Sequence, residues 1–317
     1  MEETIREIHD IGLIPVIEPT NAVALAKALC AGGLPAAGLL YSTAAVEALG
    51  AMHQACPDMV LGLENVTEAG QADTAAAVGA RFVVVPVNAG PAIERARQRG
   101  LAVIPCVTGA AQMAQALAGG LTTVKLLPTA GLTDREAIRS VAASFPQVGL
   151  MLSGGVDASS LAGWLAENQV VACDGSWIIN RQALADRDFP RIQSDVQQAM
   201  RAMLQIRLKH VGVNVAADQA ADVARRFADM FGGPVTATPL GYFGSEAVEV
   251  MKQPFAKGTH GHMAMGVSNV ERARHFFTAL GYQFDESTIA YKPDHTIKLI
   301  YFKDEIAGFR IHLIGNR

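Results

Sequence analysis

A lysine stands inside an apolar segment, Thr-Thr-Val-Lys-Leu-Leu-Pro at 122–128, and is the residue here best suited to covalent chemistry. An ammonium group buried among valine and leucine costs several kcal/mol unless it is paired or neutral. Desolvation of Lys125 is therefore expected to lower its pKa and leave a free amine able to attack a ketone and form a Schiff base. The competing reading is a lysine at a strand end whose head group snorkels to water. Two glycine-bearing segments lie further on, Ser-Gly-Gly-Val at 153–156 and Asp-Gly-Ser-Trp at 174–177. Each is expected to be a turn opening a helix, where backbone N–H groups can receive an anion.

These residues need a scaffold, and the pattern from about residue 12 to 180 supplies one. Eight β-branched runs, GLIPVIE, LPAAGLLY, DMVLGLEN, RFVVVPV, LAVIPCV, TTVKLLP, VGLMLSGG and VVACDGS, alternate with alanine-rich stretches that close on glycine. The runs are apolar on both faces, as parallel strands covered by helices must be. Strand–helix alternation permits a doubly wound sheet or a closed barrel, and eight units in a row predict a (β/α)8 TIM barrel. The two glycine turns then follow the seventh and eighth strands, where such barrels bind phosphate. A polar helix, QSDVQQAMRAMLQIRLK, precedes a change of texture near residue 205, after which aromatics and histidines become common. The remainder repeats itself weakly: HVGVNV then ADVARRFADMFG, and HMAMGV then NVERARHFFTALG, each followed by further strands. The predicted organisation is an α/β barrel over 1–205 and, over 206–317, a smaller α+β domain of two paired βαβββ modules.

The 317 residues are half hydrophobic and 18% charged, enough for a sizeable core and against disorder. A formal net charge of −4 without a Lys/Arg run speaks against a nucleic-acid partner. Cys30, Cys56, Cys106 and Cys173 are widely spaced and read as buried thiols of a reducing cytoplasm rather than a disulfide framework. The charged, amphipathic MEETIREIHDIG has no signal-peptide character, and runs such as RFVVVPV are too short to cross a bilayer. The expectation is a cytoplasmic protein with no membrane partner.

The barrel half resembles the 2-keto-3-deoxy-6-phosphogluconate / 4-hydroxy-2-oxoglutarate aldolase family over roughly residues 1–205. The likeness rests on GLIPVIE with AKALCAGGLP, on VKLLPT where the family has K-F-F-P-A, on SGGV for T-G-G-I and on DGSW for G-G-S-W. It implies that Lys125 is the Schiff-base lysine of a class I aldolase, that Ser153, Gly154, Gly155 and Ser176 hold phosphate or carboxylate, and that the barrel forms homotrimers. It implies no cofactor for the barrel, and a 2-oxo acid or sugar phosphate as small-molecule substrate. Several positions depart from the pattern. The family's E-V-T-x-R-T reads GLLYST, putting Gly38 at the acid/base glutamate and Ser42 at the substrate-binding arginine. Its G-A-G-T reads GLEN, placing Asn65 at the substrate-contacting threonine, and its P-G-x-x-T reads PCVTG, with Cys106 and Gly109 changed. Glu18 and Glu64 end the first and third strands and could substitute as the carboxylate, or be solvated loop acids.

The second half resembles the vicinal oxygen chelate superfamily, to which glyoxalase I and extradiol dioxygenases belong. That likeness implies metal ligands on the first and last strands of each module, here His210, Glu249, His262 and His312, a set suited to Zn, Ni, Mn or Fe. Hydrogen-bonded sheet histidines are the alternative, and His260 lies one step outside the strand pattern. Three functions follow: a Schiff-base aldehyde-lyase releasing pyruvate from a 2-oxo acid, a metal-dependent glyoxalase-like isomerase, epimerase or lyase of the second domain, or a non-catalytic barrel that binds anions.

Overall fold

The computed structural model describes residues 1–127, 135–253 and 258–316, so Pro128 and Thr129 of VKLLPT lie outside the described residues. It divides into two compact units, Met1–Met203 and Leu204–Arg317.

The first unit is a parallel β-barrel wrapped by helices. Its strands are β1 (Leu13–Ile14), β2 (Val16–Ile17), β3 (Ala36–Leu40), β4 (Val60–Glu64), β5 (Phe82–Pro86), β6 (Ala102–Val107), β7 (Thr123–Leu126), β8 (Gly149–Leu152) and β9 (Val170–Asp174). They form one sheet in the order β1-β9-β8-β7-β6-β5-β4-β3-β2. Pro15, which has no N–H to give to a ladder, separates β1 from β2. The predicted first strand is therefore two short ones, and its halves pair with opposite ends of the sheet, β1 with β9 and β2 with β3. Each of the other seven runs predicted as a strand contains one strand. Val60, Leu61, Leu63, Val83, Val84, Val85 and Ile104 are buried, because helices cover one side of the sheet and barrel packing the other. Packing inside the barrel is tight: a Cβ on Gly62 would lie 2.3 Å from the ring of Phe82, which is fully buried. QSDVQQAMRAML belongs to the helix Phe189–Leu204, whose Ile192, Val196, Met200 and Met203 form its buried stripe. RLK, predicted to continue that helix, instead begins a strand of the second unit.

The second unit is an eight-stranded sheet. Its first module holds β10 (Arg207–Val213), the helix Ala220–Phe231, β11 (Thr236–Ala237), β12 (Gly241–Ser245) and β13 (Val248–Met251). Its second holds β14 (Gly261–Val267), the helix Val270–Ala279, β15 (Phe284–Tyr291), β16 (Ile297–Ile306) and β17 (Phe309–Gly315). The order β11-β12-β13-β10-β14-β17-β16-β15 gives both modules the same internal layout, joined where β10 meets β14 antiparallel. Both helices are amphipathic, burying Ala220, Ala224 and Ala228 in one copy and Val270, Ala273 and Phe276 in the other. Among the described residues no helix is long and apolar enough to cross a membrane.

Candidate functional sites

Lys125 lies on β7 with its neighbours fixed by register: Cys106 opposite it on β6 and Met151 on β8. Only 2% of it is exposed, so it does not snorkel. Its Nζ lies 2.6 and 2.8 Å from the two carboxylate oxygens of Glu64, and 3.3 Å from Asp174 Oδ2. Glu64 ends β4 and is itself 5% exposed. The prospect of a solvated loop acid is thus overturned for Glu64: its carboxylate lies inside the barrel, held by the lysine. Glu18 is exposed and is not among the residues lining the Lys125 cavity.

The electrostatics reverse the expectation for the amine. Burial pulls the Lys125 pKa down, but Glu64 and Asp174 outweigh it and hold the group above the ordinary lysine value. Burial likewise pushes the Glu64 carboxyl above the usual carboxylate range, against the pull of Lys125. The lysine is thus held in its charged form, with the Glu64 carboxyl adjacent as a group that can exchange a proton with it. Sequence spacing could not reveal this, because lysine and glutamate stand 61 residues apart and meet only across the closed barrel.

The room for Glu64 comes from Gly38. A Cβ at position 38 would lie 2.7 Å from Glu64 Oε1. On the motif comparison above, the chain has glycine where the family pattern has glutamate (Gly38) and glutamate where it has glycine (Glu64). Glu64 ends β4, the strand beside β3, where it pairs in register with Leu40.

A cavity of about 510 Å³ opens above Lys125, lined by Val16, Leu40, Glu64, Asn65, Val84, Pro86, Val87, Asn88, Cys106, Thr108, Gln112, Leu127, Ser153 and Asp174. Asn65, in the left-handed region at φ 61°, and Ser153 are thus brought to the lysine, whereas Gly154, Gly155 and Ser176 are exposed and lie outside that lining. The two glycine turns do not open helices as expected. The helix after SGGV begins only at Leu161 and is four residues long, and DGSW leads into a single 3-10 turn, Ser176–Ile178. The cysteines form no disulfide. Cys173 is buried, whereas Cys30, Cys56 and Cys106 are half-buried rather than buried as predicted. Burial pushes the Cys106 thiol, at the cavity wall, up to about 11, so it is no thiolate nucleophile at neutral pH.

In the second unit, the ladder brings three of the four predicted ligands together. Gly212 on β10 is paired with Glu249 of β13 on one side and His262 of β14 on the other, and His210 lies two residues earlier on the same face. Without a side chain at 212 there is space for the His262 ring, whose Cε1 would lie 2.0 Å from a Cβ there. His210 Nε2 is 3.1 Å from His262 Nε2, and Glu249 Oε2 lies 3.7 and 3.4 Å from those nitrogens. One ligand atom from each of the three residues lies within 4.8 Å of the others, the spacing of a coordination shell around a central ion. His312 stands slightly back, its ring centroid 5.3 Å from that of His262 and 4.7 Å from that of Tyr301. Its Nδ1 is buried without a hydrogen-bond partner among the described residues. Burial pushes His210 down to about 4 and His312 to about 3, keeping both imidazoles neutral. His260 is exposed.

Comparison with known proteins bears on the first unit. Residues 1–195 match the family model "Aldolase: KDPG and KHG aldolase". A 2-dehydro-3-deoxy-phosphogluconate aldolase of Treponema pallidum is 31% identical over 199 residues, 62% of this chain and 95% of the relative. The KHG/KDPG aldolase of Escherichia coli K12 is 27% identical over 59% of this chain and 90% of its own length. Among solved structures, a KDPG aldolase from Legionella pneumophila, with pyruvate captured as a covalent carbinolamine intermediate, superposes with a TM-score of 0.57 at 25% identity, covering 62% of this chain and 97% of that one. The 2-keto-3-deoxy-6-phosphogluconate aldolase of Zymomonas mobilis ZM4 gives 0.55 at 27% identity over 62% and 94%. With its barrel unit and most of its length matched, the chain belongs to the KDPG and KHG aldolase family.

Proposed function

We propose that the barrel is a Schiff-base aldehyde-lyase in which Lys125 is the nucleophile and Glu64 moves the protons. The observation that carries this reading is the buried contact of Lys125 Nζ with both Glu64 oxygens. Glu64 takes a proton from the ammonium, and the amine attacks the carbonyl of a β-hydroxy ketone, the class that includes 4-hydroxy-2-oxo acids. The carbinolamine loses water, with Glu64 returning its proton to the departing hydroxyl, and an iminium forms. Glu64 then removes the β-hydroxyl proton. The Cα–Cβ bond breaks, an aldehyde leaves, and the electron pair remains on the enamine. Protonation at carbon and hydrolysis return the ketone and the lysine. Asp174, within reach of the same nitrogen, stabilises the cationic iminium. In D2O, the protein is expected to exchange the α-hydrogens of a ketone donor, read by proton NMR, and Lys125→Met to abolish that exchange. Exchange that persists in Lys125→Met would remove the lysine from the chemistry.

A second reading concerns the other unit, supported by the convergence of His210, Glu249 and His262. These three, with His312 nearby, fit a divalent ion of the zinc, nickel, manganese or iron type. Such an ion, when bound, supplies Lewis acidity toward a substrate oxygen, the resource of a glyoxalase-like isomerase or lyase. The chain's own contribution is to hold two imidazoles and a carboxylate convergent on one sheet face. Titration with each metal alone is expected to raise the melting temperature with about one ion per chain, a saturating ion at 100 times its Kd adding about 2.7 kcal/mol. Gly212→Ala, which drives a methyl into the His262 ring, is expected to abolish the rise. No shift with any of the four metals would contradict this reading.

A further inference from the structure

The loops at the barrel mouth determine which substrates Lys125 can accept. Among the described residues, the segments after β2–β6, β8 and β9, 18–21, 41–42, 65–68, 87–89, 108–109, 153–160 and 175–180, contain no Lys, Arg or His. They carry Glu18, Glu68 and Asp157, and the strands add Glu64 and Asp174. Among the described residues that line the cavity, Lys125 is the one cation, and it faces two carboxylates. An acid of the protein itself stands beside each of the two turns expected to take phosphate. Asp174, which stands where the family pattern has glycine, accepts the Ser153 hydroxyl at 3.0 Å and the Ser176 N–H at 3.3 Å. Asp157, within the loop that follows SGGV, accepts both the N–H and the hydroxyl of Ser159, at 3.0 and 2.8 Å, and of Ser160, at 2.9 Å each. Those bonds, the Ser159 hydroxyl foremost, hold Asp157 ionised down to about 2. The Ser153, Ser159 and Ser160 hydroxyls and the Ser176 N–H are thus given to internal anions. A phosphate brought here would displace none of that charge and would meet more of it, in a cavity where repulsion is weakly screened.

We infer that this site takes an uncharged, non-phosphorylated β-hydroxy ketone, with Asp174 as the internal plug that excludes phosphate. The inference rests on the Schiff-base reading above. The wall supplies what such a substrate needs: Val16, Leu40, Val84 and Pro86 offer apolar contact, while Asn65 and Thr108 can hydrogen-bond hydroxyl groups. The reaction remains a redox-neutral exchange of one carbon–carbon bond, giving a ketone and an aldehyde without an outside reagent.

The test is borohydride reduction of the full-length protein in the presence of hydroxyacetone or pyruvate at equal concentration, with the modified peptide located by mass. Hydroxyacetone is expected to label Lys125 at least tenfold more than pyruvate, and inorganic phosphate to leave the labelling unchanged. Asp174→Gly is expected to narrow the preference and make labelling sensitive to inorganic phosphate. Pyruvate labelling equal to or above hydroxyacetone, or protection of the wild type by phosphate, overturns the substrate inference and leaves the Schiff-base reading standing. An Asp174→Gly protein still indifferent to phosphate overturns the plug. Absence of label from either ketone overturns the Schiff-base reading and this inference with it.

Discussion

Glu64→Gln is expected to slow α-hydrogen exchange of the better ketone donor by about 10²–10⁴-fold, the usual worth of a positioned acid–base group. The amide can still accept a hydrogen bond from Lys125 but cannot take its proton, so the loss should fall on rate rather than on donor binding. A double substitution provides the sharper half of this prediction. Gly38→Glu with Glu64→Gly returns the carboxylate to β3 and reopens the glycine on β4, and should recover most of the lost rate. Gly38→Glu alone should not help, since a Cβ there already falls 2.7 Å from Glu64 Oε1 and the added carboxylate joins two others. A Glu64→Gln protein with wild-type exchange, or a double variant as slow as Glu64→Gln, would reduce Glu64 to a counter-ion.

The second large effect concerns stability. Lys125→Met fills similar space with an apolar chain but leaves Glu64 and Asp174 without their cation in a site nearly closed to water. Removing one partner of a buried ion pair costs about 3–5 kcal/mol. At roughly 2–4 °C per kcal/mol for a unit of this size, the melting temperature should fall by about 6–20 °C. The pH dependence has a definite sign. In the variant, burial keeps the Glu64 carboxyl above its unfolded value with no lysine to oppose it. The folded state then binds more protons than the unfolded one, so stability declines as pH rises between the two pKa values and recovers on acidification. Melting temperatures measured from about pH 5 to about pH 8 should therefore diverge from wild type as pH increases. Adding Glu64→Gln to Lys125→Met should remove most of that divergence. A variant as stable as wild type at the alkaline end would contradict the buried charge pair.

The parts of the molecule legible in the sequence are those set by local pattern. Two-sided apolar strands alternating with alanine-rich helices point to one barrel, and the repeated strand–helix texture after it points to paired modules. Lys125 stood out because nothing apolar tolerates a lysine without reason. The rest depended on contacts across the barrel. A glutamate after Leu-Gly-Leu reads as a strand-end acid, and only register beside Gly38 turns it inward. The exchange of glycine for glutamate at 38 and of glutamate for glycine at 64 was the available signal. The direction of the lysine pKa is not legible in the sequence because the carboxylates that raise it lie on β4 and β9, remote from Lys125 along the chain. The composition of the glycine turns fits an anion cradle, but the aspartate inside DGSW accepts the Ser153 hydroxyl and the Ser176 N–H. In the second unit, Gly212 has no chemistry of its own, yet its missing side chain is what lets His262 reach His210 and Glu249.

Trapping the imine tests the central claim most directly. Wild-type protein reduced with borohydride in the presence of a small ketone should gain the mass of one reduced adduct, on the peptide that contains Lys125 and on no other in comparable yield. No adduct, or one spread over surface lysines and unchanged in Lys125→Met, would contradict the account.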